Sequence, residues 1–159
     1  MSQAAIYHQL TAALVVRRPN IVIFNLGEGV TAACIALANP GVDVTIADGV
    51  DEKGLAALTD TSYVYIIGHG EKKTRRVAGP RGKYIDPHEF AEKVAPRVKS
   101  LACIHLIVCY GNYQVTVWRD VLRRAGITTL LRSCDEQVHR GTPGEPYTLD
   151  GNRYHDMST

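Results

Sequence analysis

The sequence predicts an α/β fold: a three-layer α/β/α sandwich with a mostly parallel central sheet, plus a C-terminal β-hairpin. Three observations predict it. Short apolar runs alternate with longer helical patterns, the signature of strands joined by crossover helices. Several runs, such as Ile21–Phe24 and Tyr63–Ile67, are continuously apolar, as strands covered on both faces are. The tail is rich in turn formers (Gly141, Pro143, Gly144, Pro146, Gly151, Asn152), which suggests a hairpin or ribbon. Right-handed crossovers bring the C-terminal ends of parallel strands to one edge, where ligands and chemistry collect.

In chain order, residues 3–16 read as a leading helix within the N-terminal segment 1–19. Ile21–Phe24 is a first strand, and Thr31–Ala38 a helix rich in alanine, stopped by Asn39–Pro40–Gly41. Val42–Ala47 is a second strand and Glu52–Leu58 a short helix. Tyr63–Ile67 is a third strand, followed by a long polar loop from Gly70 to about Ile85. Asp86 is placed to cap a helix over Pro87–Val98, with proline at its first position. Ile104–Val108 is a fourth strand, Val115–Ala125 a helix ending at Gly126, and Ile127–Leu131 a fifth strand. Residues 136–159 form the ribbon and tail.

With 159 residues, 45% of them hydrophobic, the chain is expected to form a single domain over 1–159. No apolar run approaches the ~20 residues that span a bilayer. The pair Arg17–Arg18 follows the apolar part of the N-terminus, the reverse of a secretion signal. The expected location is cytoplasmic; export as an effector without a cleaved signal is compatible with the sequence. Cys34, Cys103, Cys109 and Cys134 form no CxxC pair, so neither a disulfide framework nor a metal site is expected.

Two strands run into reactive residues. Tyr63–Ile67 leads to Gly68–His69–Gly70, and Ile104–Val108 leads to Cys109–Tyr110–Gly111. If these strands are parallel neighbours, about 4.8 Å apart, the imidazole of His69 and the thiol of Cys109 can meet. Imidazole then draws off the thiol proton, and the thiolate is the nucleophile. Gly68 and Gly70 would let the backbone turn and expose an amide. His105 lies four residues before Cys109, roughly 13 Å along a strand, and cannot serve as the base.

An apolar strand ending in His-Gly, a helix, and an apolar strand ending in Cys together resemble the caspase–gingipain clan of cysteine peptidases. Over about residues 20–140 the chain most resembles the autoprocessing cysteine protease domain of RTX and clostridial toxins. The matching segments are Ile21–Phe24, the alanine-rich helix, Val42–Ile46, Tyr65–Gly70, Asp86–Ala91 and Ile104–Cys109. The resemblance implies a cysteine endopeptidase, able to process itself or another protein, with His69 as base or acid and Cys109 as nucleophile. It implies an oxyanion hole from the backbone amides of Gly70 and Cys109. Asn25, Arg132, Asp135 and Glu136 are the candidate substrate-pocket residues.

Lys72, Lys73, Arg75, Arg76, Arg81 and Lys83 crowd one stretch with no acid among them, leaving 12 bases against 16 acids elsewhere. Such a run is ordinarily a solvated loop. Its functional reading is a polyanion site. The toxin resemblance names inositol hexakisphosphate as the activator, with Lys72, Lys73, Arg75, Arg76 and Arg132 as candidate ligands; no cofactor is otherwise required. The expected partner is a peptide or protein substrate, with neither nucleic acid nor membrane. Two alternatives stand beside this. Gly27 and Gly29 sit between a strand and a helix, with Asp48 closing the next strand, as in a Rossmann-like nucleotide-binding fingerprint. The bulk of Tyr110 also fits a caspase-like module that binds partners without cleaving them.

Overall fold

The computed structural model describes Gln3 and residues 19–27, 29–70, 76–108, 112–134 and 154–158. In chain order the elements are β1 (Ile21–Asn25), α1 (Gly29–Ala38), β2 (Val44–Asp48), α2 (Glu52–Ala57), β3 (Tyr63–Ile67), β4 (Val77–Ala78), β5 (Tyr84–Ile85), α3 (Pro87–Val94), β6 (Ser100–Ile107), α4 (Asn112–Arg124), β7 (Thr128–Cys134) and β8 (Tyr154–Ser158). Six of the described strands make one sheet in the order β2-β1-β3-β6-β7-β8. The first five run parallel, and β8 is antiparallel to β7 at the edge.

The strand order reverses at β1. The chain moves outward from β1 to β2, then crosses back over β1 to β3. With right-handed crossovers, that reversal puts α1 on one face and α2, α3 and α4 on the other. The packing follows. Ala32 and Ile35 of α1 meet Ile21, Ile23, Tyr65, Ile67 and Ile107. On the opposite face Leu55, Phe90, Val94, Trp118 and Leu122 meet Val22, Phe24, Val64, Ile66 and Leu106. Strand residues therefore alternate between two apolar layers, which is why the runs lack polar alternation. This is the expected three-layer α/β class.

Several boundaries shift for physical reasons. The helix expected to reach Val98 ends at Val94, because Pro96 has no N–H to extend it. Asp86 caps it as expected, its carboxylate accepting from His88 N–H. The fourth strand begins at Ser100, not Ile104, since backbone pairing of Ser100 with Thr128 carries it past the apolar run. The segment read as a polar loop to Ile85 contains a small antiparallel hairpin, β4–β5, with Val77 and Ile85 buried. Of the expected leading helix only Gln3 is described, and it is helical; the rest lies outside the described residues. The ribbon is described only as β8.

His105 sits in the middle of β6, fully buried, stacked on Tyr65 with ring centroids 4.3 Å apart. Burial lowers its pKa to about 3, and the charge of Arg132 on the paired position of β7 acts in the same direction. Burial raises the Tyr65 hydroxyl pKa well above its ordinary value. The folded chain thus keeps His105 neutral where the unfolded chain takes up a proton below about 6.5. This contribution is complete above that pH and is lost as pH falls towards 3. Denaturant unfolding at pH 7 and pH 5 will show a loss of up to about 1.4 kcal/mol per pH unit from this group. His105→Phe, which keeps a ring on Tyr65, will remove that loss; an unaltered pH slope would contradict the assignment.

Candidate active site

The C-terminal rim between β3 and β6 is built by register. Ile67 and Ile107 are paired neighbours on parallel strands, and Gly68 N–H reaches Ile107 O at 3.5 Å. The chain runs from Ile67 through Gly68 to His69, and from Ile107 through Val108 to Cys109. Gly68 and Val108, the residues that follow this pair, therefore stand at one rim of the sheet. Cys109, with Tyr110 and Gly111, lies outside the described residues.

His69 is exposed, so its imidazole is open to a peptide. Its backbone is held firmly. His69 N–H donates to Ala78 O at 2.7 Å, and Ala78 N–H donates to His69 O at 2.9 Å. The hairpin β4–β5 is therefore a brace for the histidine. This changes the role expected of Gly68. A Cβ there would lie 2.3 Å from Val77 Cγ1 and 2.8 Å from Ala78 O, so glycine is required by the close approach of β4. Gly68→Ala will push that brace away, costing about 1–3 kcal/mol as overpacking does. Denaturant unfolding would measure it, and wild-type stability in the variant would contradict the contact.

Because Ala78 O takes the His69 N–H, the next amide, that of half-buried Gly70, is the one that no hydrogen bond among the described residues engages.

The basic run is divided. Lys72, Lys73 and Arg75 lie outside the described residues. The guanidinium of Arg76 rests over the Tyr84 ring, 4.3 Å from its centroid. Tyr84 lines a small hollow with Val50 and Phe90, on the three-helix face of the sheet. Arg132 lies next to Leu131, which packs on that same three-helix face, so strand alternation turns Arg132 to the opposite face beside His105. Arg76 and Arg132 thus lie towards opposite faces of the sheet, and these two do not share one cradle.

The expected substrate-pocket residues also separate. Asn25 ends β1, and its Oδ1 accepts the Gly27 N–H at 2.9 Å. Arg132 is on β7, three strands away, or about 14 Å. Asp135 and Glu136 lie outside the described residues. Asn25 instead lines a cleft of about 380 Å³ with Leu26, Gly27, Asp48, Arg81 and Lys83. Lys83 Nζ pairs with Asp48 at 3.4 Å in an exposed bridge that contributes little to stability. Gly29 leads into α1, and a Cβ there would meet nothing within 4 Å, so no close packing requires that glycine.

One polar residue near the rim escaped the sequence argument. Gln114, in the first turn of α4, is fully buried. The available signal was its place on the apolar stripe of Val115, Trp118, Val121 and Leu122.

In comparisons with known proteins, no family model matches the chain, and no curated protein matches it in sequence. No helix among the described residues is long and apolar enough to cross a membrane. Fold and site together define an α/β protein with an exposed, backbone-braced histidine at the C-terminal rim of a parallel sheet.

Proposed function

We propose that the protein is a cysteine endopeptidase of the caspase-like kind, with Cys109 as nucleophile and His69 as general base and acid. The observation that carries this is the in-register pairing of β3 with β6 up to Ile67 and Ile107. It supports a meeting of the two side chains without any long-range rearrangement. The exposure of His69 supports it further, as does a Gly70 amide that no hydrogen bond among the described residues engages.

The chemistry follows from those groups. His69 accepts the thiol proton, and the Cys109 sulfur attacks the scissile carbonyl carbon, forming a C–S bond. The carbonyl oxygen becomes an oxyanion, met by backbone amides that include Gly70 N–H. His69 returns the proton to the departing amine as the C–N bond breaks, leaving a thioester. Water, deprotonated by His69, then attacks the thioester, releasing the carboxylic acid and the thiol.

Incubation with a peptide library, with cut sites mapped by mass spectrometry, tests the proposal. Wild type will cleave and Cys109→Ala will not. Adding inositol hexakisphosphate will leave the rate unchanged. Cleavage that survives Cys109→Ala would remove the mechanism, and a folded wild type that cleaves nothing would favour the partner-binding module.

The cleft at Gly27 and Asp48 favours a second reading, a nucleotide site at the ends of β1 and β2. Two contacts oppose it: Asn25 already takes the Gly27 amide, and Lys83 already takes the Asp48 carboxylate. Thermal protection by NAD or ADP, without labelling of Cys109 by an electrophile, would support it over the peptidase.

A further inference from the structure

A glutamine is costly to bury unless its amide is hydrogen-bonded. Gln114 is fully buried, yet among the described residues only half of its amide is engaged. Its Nε2 donates to Arg76 O at 3.4 Å, a long bond, and its Oε1 has no partner among the described residues. Packing alone favours a methionine or leucine of similar volume there. The interest of Gln114 is in what its one bond connects. Arg76 leads directly into β4. Val77 of β4 packs on the Gly68 position, and Ala78 brackets the His69 backbone with two hydrogen bonds. The guanidinium of Arg76 rests on Tyr84 of the companion strand β5. At its other end, Gln114 belongs to the helix that begins three residues after Cys109. A single side chain thus ties the brace of the histidine to the helix that follows the cysteine.

We infer that Gln114 is a positioning residue of the cysteine–histidine pair. It fixes the spacing between the His69 loop and the start of α4, and through them the distance over which the thiol proton moves. The inference rests on the peptidase proposal and deepens it. Gln114 acts through β4 and His69, and its buried amide is closed to substrate. A half-satisfied polar group in a core is tolerated where it fixes geometry, at a cost in stability.

The test is Gln114→Met, which keeps the length and apolar body but loses both the donor and the acceptor of the amide. Alkylation of Cys109 by iodoacetamide is followed by mass spectrometry of the Cys109 peptide from pH 5 to pH 9, beside urea unfolding. Gln114→Met will unfold at the wild-type urea concentration or higher. At pH 6 its Cys109 will react about tenfold more slowly than wild type, as expected for one coupling in a contacting network. Its pH profile will move towards that of His69→Ala, approaching the ordinary thiol value near 8.5. In the His69→Ala background Gln114→Met will add nothing further. A wild-type pH profile in Gln114→Met, with His69→Ala shifted, overturns the positioning role and leaves the dyad intact. A His69→Ala profile equal to wild type removes the dyad and this role with it. A marked fall in stability of Gln114→Met makes the residue structural and equally overturns the inference.

Discussion

Cys109→Ala will abolish peptide hydrolysis, and His69→Ala will lower it by about a thousandfold, within the range that a positioned general acid–base contributes. The two losses differ because alanine offers no electron pair to the carbonyl, whereas a thiol without its base retains some reactivity. A free cysteine ionises near pH 8.5, so at pH 7 only a few per cent is thiolate. The residual rate of His69→Ala will therefore climb with pH towards that value, while wild type reaches its plateau lower. The double variant will be no worse than Cys109→Ala alone, since both residues serve one step. His105→Phe will leave the shape of the pH–rate curve intact, because that histidine is sealed in the sheet against Tyr65. Initial rates on a fluorogenic peptide across pH 5–9 measure all four. A flat, wild-type-like profile in His69→Ala would dismiss the histidine as base.

The parts legible in the sequence were those where one short segment carries its own signal. Tyr63–Ile67 has the bounds expected of it because five apolar residues lie between polar Ser62 and Gly68. The rejection of His105 needed only the rise per residue of a strand. Elements made by pairing at a distance were hidden. Val77–Ala78 and Tyr84–Ile85 are two residues each, too short for any period to show, and the surrounding lysines and arginines read as solvent. What folds them is the pairing of Ala78 with His69 and the shallow surface over Gly68. The turn between them places Arg81 at φ 56°, a left-handed conformation its residue type does not announce. The sequence marks Gly68 as a turn residue, while the close approach that requires glycine comes from Val77 and Ala78, nine and ten residues on. The expectation that Asn25 and Arg132 share a pocket carries no strand order, which spacing does not reveal. The order β2-β1-β3-β6-β7 puts two strands between them.

Trp118→Ala will cost about 3–5 kcal/mol, the range for removing a buried large aromatic. Trp118 is the largest fully buried side chain among the described residues. It lies on α4 and meets Phe90 of α3 edge to face, centroids 5.4 Å apart, while Phe90 in turn meets Phe24 of β1 at 5.5 Å. The three rings join two helices to β1 of the sheet, so the cavity left by alanine cannot be closed by one neighbour moving. Trp118→Phe will cost much less. It keeps the ring contact, and it removes an indole N–H that has no acceptor among the described residues, a group whose burial is itself unfavourable. Urea unfolding followed by circular dichroism separates the two variants. Equal losses would mean that the indole N–H is satisfied and contributes to stability. Since α4 follows Cys109 by three residues, the same cavity loosens the helix that Gln114 anchors. Trp118→Ala will therefore lower activity even where the protein remains folded, and Trp118→Phe will largely retain it. Full activity in a folded Trp118→Ala would show that the rim is positioned independently of the core beneath it.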